Sequence, residues 1–566
     1  MRIVTGIISS LAILALGMEP GYAQVYDGDI VLEDQRLSAA GGDWQDFYGS
    51  GVAVDGRWAI VGEHNRNVGS ILNVGVAHFF ERTPRGWVER QAITPLDANR
   101  SDKFGRTVAI SGNTAVVGVP NHDNGAISTG AVYVYTLANG VWGQTQKLEA
   151  GATTSGFGLS LGLDGDSLIV GAPVDGSIAY RWGKAYAFER IAGTWTLVQT
   201  ILPIGFRPSA PVDLHFGYQV SLHGDEAVIS TYTPPIAPAF VVEGRQVLAY
   251  QRRSGVWVQT QIIGDPRPYD PQFGDYEFGL STALYDGVLA IGAPRHGGFW
   301  GKNGKVSLYD LQPNGTWLHT QDVESSRPLF LPSSASDYFG DSVALHDRRL
   351  AVGAPRDSRV LGGQYPMGQA YVFDRGADGT WEESLVLRND SAANVPVHFG
   401  ESIALTEDYV FVGDPLGRDS SGVSAGSAHI FELSHGSTYC TSFWNALVST
   451  WVTGSLVASE NLLTVHGRGF FPGQFGLLLA GTNTGHVVSP GGSLGNLCLG
   501  GRLARIRPAV ADSAGEMYIP VDTQAIPLNP TVAIQSGETW YFQVWYRDQT
   551  FGATSLFSPA IQVDFE

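Results

Sequence analysis

An all-β chain is predicted, a seven-bladed β-propeller of four-stranded blades followed by a β-sandwich, and three observations predict it. First, an interval of 13 residues between two glycine-marked positions recurs seven times, from Gly49 to Gly62, Gly105 to Gly118, Gly158 to Gly171, Gly217 to Ser230, Gly279 to Gly292, Gly340 to Gly353 and Gly400 to Gly413. Second, each copy opens on an aromatic residue and glycine (Tyr48, Phe104, Phe157, Phe216, Phe278, Phe339 or Phe399 before the glycine), and successive copies start 53 to 62 residues apart. Third, four short strand signals fit inside each period, and a period that long with four strands is a propeller blade.

Blade 2 shows the elements in order: Arg106 to Ile110, a turn at Gly112, Ala115 to Val119, a loop from Pro120 to Gly130, Ala131 to Tyr135, a turn at Gly140, then Trp142 to Leu148. The third strand alternates with period two in most copies, as in Gly130-Ala-Val-Tyr-Val-Tyr135 and Gly368-Gln-Ala-Tyr-Val-Phe373, which is the signature of a strand. The constant 13 residues imply a tight hairpin between strands one and two, with Gly56, Gly112, Gly165 and Gly224 supplying positive φ in four copies and Asp286, Asp347 or Glu407 in the others. In the fourth strand a tryptophan is followed four residues later by glutamine: Trp87 and Gln91, Trp142 and Gln146, Trp195 and Gln199, Trp257 and Gln261, Trp317 and Gln321, whereas Trp381 lacks the glutamine. No such strand follows Phe431, but Val31, Gln35 and Leu37 match its spacing, so the N-terminal segment is expected to close blade 7.

At the N-terminus Arg2 precedes a short apolar run, Ile7 to Gly17, and small residues follow at Gly21 and Ala23, the pattern of a signal peptide over residues 1–23. The propeller is expected over 24–434 and the sandwich over 435–566, and no apolar stretch is long enough for a spanning helix. The two cysteines, Cys440 and Cys498, are expected to form a disulfide in an exported chain. A balance of 35 basic against 54 acidic residues, net -19, argues against nucleic acid and other polyanions as partners.

The repeats resemble the FG-GAP repeats of the integrin α-subunit head and of secreted bacterial proteins. Gly-Ala-Pro stands complete at Gly171-Ala172-Pro173, Gly292-Ala293-Pro294 and Gly353-Ala354-Pro355, and is degenerate or lost in the other copies. Several blades of that family hold calcium in an Asp-x-Asp-x-Asp-Gly turn. Here the turns lack that pattern and Asp164 and Asp166 only flank Gly165, so no calcium or other cofactor is carried over. The tail from about Ser434 resembles a β-rich domain appended to such secreted proteins.

In an up-and-down blade the two-to-three and four-to-one loops share one face, and here they are the long ones, including Asn121 to Thr129, Leu202 to His215 and Ser325 to Tyr338. Binding residues concentrate on such a face, and it is the ligand face in the integrin resemblance. Its aromatic and guanidinium groups are Arg66, Arg181, Trp182, Tyr232, Arg295, Phe299, Trp300, Arg356 and Arg418, which suit a protein or glycan partner. His122, Asp175, His296 and Asp357 share one position in their repeats and would be metal ligands only if the ring brought them to its axis. The elbow-like Gly158-Leu159-Ser160-Leu161-Gly162 is explained by the repeat, since an elbow needs a strand-to-helix turn. The expected function is a secreted, non-enzymatic recognition or adhesion protein of unassigned oligomeric state. The alternatives are a glycan lyase or hydrolase on a propeller, and a structural component of the cell surface.

Overall fold

The computed structural model describes residues 2–4, 29–32, 35–83, 86–123, 129–150, 156–174, 182–205, 214–232, 245–265, 277–296, 304–325, 337–357, 367–376, 378–389, 398–418, 422–433, 437–439, 448–488, 490, 493, 496–512, 515–547 and 555–565. It divides into two units, Met1–Phe431 and Glu432–Glu566, three residues earlier than the sequence reading places the boundary.

Among the described residues the first unit holds seven sheets, and in six of them four strands consecutive in the chain pair antiparallel as a blade. Blade 1, for example, runs Tyr48–Asp55, Trp58–Glu63, Val76–Thr83 and Gly86–Ile93. In blade 7 the strands Ser402–Leu405, Tyr409–Asp414 and Ser427–Glu432 are completed by Gln35–Leu37, so the N-terminal segment closes the ring as expected. The inner strand of every blade packs on the inner strand of the next, and that of blade 7 packs on that of blade 1. Second strands such as Ser167–Ala172 are buried at every residue, because sheets cover both of their faces. Apolar cores lie between successive blades. One joins Trp58, Ile60 and Phe79 of blade 1 to Val117, Tyr133 and Trp142 of blade 2, and another joins Leu37 and Phe411 of blade 7 to Val61 and Trp87 of blade 1.

The glycine interval has a direct cause. A Cβ on Gly171, at the end of strand two in blade 3, would stand 2.1 Å from the carbonyl oxygen of Gly217, the leading glycine of blade 4. The same approach closes the ring, where a Cβ on Gly413 would meet the Gly49 carbonyl at 2.0 Å. Both glycines of the interval are therefore inter-blade contacts. A hydroxyl two residues after the leading glycine stitches the same carbonyl: Thr107 Oγ1 donates to Gly158 at 2.7 Å, Ser160 Oγ to Gly217 at 2.9 Å, Ser281 to Gly340 at 2.7 Å, Ser342 to Gly400 at 2.7 Å and Ser402 to Gly49 at 2.8 Å. Ser160 is thus a structural residue.

The tryptophan and glutamine repeat is a second inter-blade device. Gln146 of blade 2 donates from Nε2 to the Trp195 carbonyl at 2.7 Å and accepts the Trp195 N–H at 2.9 Å. The same double bond joins Gln35 to Trp87, Gln91 to Trp142, Gln199 to Trp257, Gln261 to Trp317 and Gln321 to Trp381, at 2.6 to 3.1 Å throughout. Each glutamine satisfies backbone groups that an edge strand leaves without a ladder partner. Blade 6 has Leu385 in the glutamine position, and there a different contact appears: Asp29–Leu32 pairs in parallel with Trp381–Arg388, starting at Asp29 opposite Leu385. The N-terminal chain thus crosses the junction that lacks the glutamine, from the edge of blade 6 to the edge of blade 7. Arg2–Val4 pairs antiparallel with Asp29–Leu32, and the apolar run after it lies outside the described residues.

The second unit holds a six-stranded sheet, including Phe475–Val488, Asn496–Val510 and Thr539–Arg547, and a three-stranded sheet of Ser449–Thr453, Thr464–Arg468 and Glu516–Pro520. Val452, Val465 and Ile519 of the small sheet share one core with Leu478, Phe542 and Val563 of the large one. Cys498 is fully buried, and Cys440 lies outside the described residues.

Candidate functional site

Six blades repeat one turn at the entry to the inner strand, in which the residue after the leading glycine donates its N–H to a carbonyl three residues back. Examples are Leu280 to Glu277 at 3.0 Å and Asp341 to Tyr338 at 3.0 Å. The residue two before the glycine is held at positive φ at Phe47, Lys103, His215, Glu277 and Tyr338, between 45° and 60°. A side chain in that region costs about 1–2 kcal/mol, and such strain gathers at functional sites. Whereas the aromatic residue and glycine recur, the residues on either side of them do not, and these place different chemistry around the loop-rich mouth.

On blades 4 to 6 they form a continuous row. Tyr232 stacks on Tyr218 with centroids 4.8 Å apart and on His215 at 5.8 Å. The Arg245 guanidinium covers the Tyr232 ring at 4.0 Å and reaches Glu277 Oε1 at 3.5 Å. Arg295 Nε meets the same oxygen at 3.3 Å, and its Nη2 donates to the Tyr338 hydroxyl at 3.0 Å. Arg356 lies over the other part of this row, 4.4 Å from the Tyr338 centroid, and is exposed. Three of the expected residues, Tyr232, Arg295 and Arg356, are therefore joined through Arg245, Glu277 and Tyr338, which sequence reasoning missed.

The other expected residues divide. Arg66 is tied to Asp46 at 3.1 Å, Glu63 at 3.4 Å and the Ala40 carbonyl at 3.2 Å, and so fastens the loops of blade 1. Trp182 is 39% exposed, and Arg418 is exposed. Arg181, Phe299 and Trp300 lie outside the described residues, as does Asp175. His122, His296 and Asp357 are buried at the necks of their own loops, where their carbonyls accept the N–H groups of Gly130, Gly304 and Gly368 at 2.9 to 3.1 Å. His122 further binds Asp102 at 3.1 Å, and Asp357 accepts the Tyr371 hydroxyl at 2.6 Å. Shared repeat position thus reflects a shared neck. Among the described residues no group of three or more His, Cys, Asp or Glu is disposed to hold a metal ion.

Titrating groups also collect at this mouth. Burial, then the charges of Glu401 and Glu277, push the Asp341 carboxyl up to about 7, against smaller lowering effects of His398 and Arg356. His398 Nδ1 stands 2.8 Å from Glu401 Oε2, a hydrogen bond that raises the imidazole above its ordinary value. On the blade 1 side burial, with Arg106 and Lys103 beside it, lowers His64 to about 3, so it is neutral. It stacks on Phe47 at 5.2 Å and bonds Ser50 Oγ at 2.7 Å.

Asp341 makes the stability of the fold depend on pH. The folded chain holds a proton that the unfolded chain releases near pH 4, so this group's contribution to stability falls as pH rises from about 4 to about 7 and is level above that. Asp341→Asn is expected to flatten the decline in denaturation midpoint between pH 5 and pH 8. The buried Asp414, raised mainly by its burial, retains part of the slope. An unchanged slope in the variant counts against the placement of Asp341.

The sequence model of the FG-GAP repeat family matches residues 87–135, 142–188 and 333–373, each match running from the fourth strand of one blade, or the loop after it, to the third strand of the next. No curated protein matches the chain. Among solved structures, a periplasmic gluconolactonase of Pseudomonas aeruginosa is 13% identical, with 60% of this chain and 85% of that one covered and a TM-score of 0.35. The β-propeller domain of the Trilobed protease from Pyrococcus furiosus is 10% identical, covering 68% and 95%, with a TM-score of 0.37. No helix among the described residues is long and apolar enough to cross a membrane. With repeated four-stranded sheets, the inter-blade glycines and the match to the repeat family together, the chain is an all-β propeller protein that carries FG-GAP repeats.

Proposed function

We propose that this chain is an exported recognition protein that captures a glycan or protein partner at the loop-rich mouth of its propeller. The row from Tyr218 through Tyr232, Arg245, Glu277, Arg295 and Tyr338 to Arg356 carries this reading. Aromatic faces and guanidinium groups held by a rigid frame offer contact area with few torsions left to fix on binding, and that favours affinity. The framework supports it further: the groups that hold the blades repeat, and the chemistry at the mouth does not.

A second reading, a lyase or hydrolase acting on glycans, is favoured by one observation. Asp341, raised to about 7, sits among Glu401, Glu277 and His398, and a carboxyl near neutrality can serve as general acid or base.

The experiment is a glycan-array and surface-protein capture screen with the purified chain, repeated with Arg356→Ala and Tyr338→Ala. Capture by the wild type that falls at least tenfold in both variants supports the recognition site. Capture unchanged in both overturns it, and cleavage of a captured glycan that Asp341→Asn abolishes selects the enzyme.

A further inference from the structure

At the opposite, turn-rich mouth of the propeller the last residues of three inner strands form another row. His223 of blade 4 packs on Tyr285 of blade 5 with centroids 4.6 Å apart, and Tyr285 packs on His346 of blade 6 at 4.8 Å. All three rings are half-buried. In blades 1 to 3 the equivalent residues are Asp55, Ser111 and Asp164, and their side-chain oxygens accept the turn N–H of the following blade, at Gly112, Gly165 and Gly224. The polar stitch thus gives way to an aromatic stack on one side of the ring. The buried Nδ1 of His346 has no hydrogen-bond partner among the described residues.

Carboxylates surround this row. Burial, then Asp347, Asp286, Glu407 and Asp164, hold the Tyr285 hydroxyl above its ordinary value. His346 is lowered by its burial, which outweighs Asp347, Asp408 and Asp55. The nearby cations are engaged elsewhere: Arg349 with Asp374 at 3.0 Å and the Glu407 carbonyl at 2.8 Å, and Arg348 with the Arg375 carbonyl at 3.0 Å.

We propose that the turn-rich mouth is a binding site for a guanidinium or ammonium group presented by a basic peptide, seated on the His223, Tyr285 and His346 rings between the surrounding carboxylates. A planar guanidinium stacks on such rings while its N–H groups reach the flanking oxygens. The site is independent of the loop-rich mouth.

Fluorescence anisotropy with labelled hexa-arginine tests it on the full chain. Tyr285→Leu is expected to weaken binding at least tenfold and Asp347→Asn about threefold, with an unchanged thermal transition in each. Asp347→Asn is the second arm should Tyr285→Leu not fold, since asparagine tolerates the left-handed backbone at this position, where φ is 48°. Glu382→Gln, at an exposed residue of the outer strand of blade 6, removes the same charge elsewhere and is expected to leave binding unchanged. Binding that falls no further in Asp347→Asn than in Glu382→Gln, or that Tyr285→Leu leaves at the wild-type level, is diffuse attraction to an acidic protein and overturns the proposal.

Discussion

Gly171→Val is expected to cost the propeller at least about 3 kcal/mol and to prevent folding at physiological temperature, because overpacking against backbone cannot be relieved by a rotamer change. The new Cβ would lie 2.1 Å from the Gly217 carbonyl and 2.2 Å from Ser160 Oγ, so blades 3 and 4 would have to separate. Separation opens the core shared by Ile169, Ile201, Phe216 and Ile229. Blade 4 supplies the comparison. Ser230 stands in the equivalent position and its Oγ accepts the Gln219 N–H at 3.1 Å, so Ser230→Ala is expected to cost only about 1 kcal/mol, one hydrogen bond. Chemical denaturation of the two variants separates these outcomes, and a Gly171→Val protein as stable as wild type would show that the blades do not meet as described.

Removing residues 29–37 is expected to have a still broader effect. Blade 7 would keep only three strands, and Leu37 would leave a core that also holds Tyr48, Trp87, Phe411 and Ile430. The junction from blade 6 to blade 7, which has Leu385 in place of a glutamine, would lose the chain that crosses it. Gln35→Leu isolates one part of this. It leaves the N–H and carbonyl of the buried Trp87 without the side chain that bonds both, at a cost of about 2–3 kcal/mol. The expected order of denaturation midpoints is wild type, then Gln35→Leu, then the truncated chain, with the last losing its cooperative transition. A truncated chain that melts like wild type would contradict closure by the N-terminal strand.

The fold was legible because the ring imposes one contact on every blade but the fourth, where Ser230 stands in place of the glycine. A carbonyl that must approach a Cα selects glycine at Gly118, Gly171, Gly292, Gly353 and Gly413 alike, so the physical constraint appears as a spacing. The outer-strand glutamines were legible as a pattern but not as a mechanism, since the partner of Gln146 is the backbone of Trp195, one blade away. The stitching hydroxyls of Thr107, Ser160, Ser281, Ser342 and Ser402 had a signal, their constant position two residues after the leading glycine. The mouth was less legible. Tyr338 and Glu277 lie beside the repeat motif, and their joining to Arg295 and Arg356 depends on which blades are neighbours in space. His122 and Asp357 share a repeat position without sharing a site, because a common repeat position fixes a backbone role and leaves the direction of the side chain open.

Every junction in this ring is head-to-tail: at all but the one from blade 6 to blade 7 a glutamine on one blade grips the tryptophan strand of the next, and the grip from Gln35 to Trp87 returns to the start. Such contacts are not self-complementary. They either turn through a full circle and end, or continue without limit as a filament. Closure by Gln35–Leu37 is therefore what keeps the blades of one molecule from finding those of another, and a chain opened at that strand would carry two unlike, mutually fitting ends. The short N-terminal segment sets the boundary between a closed ring and an open polymer.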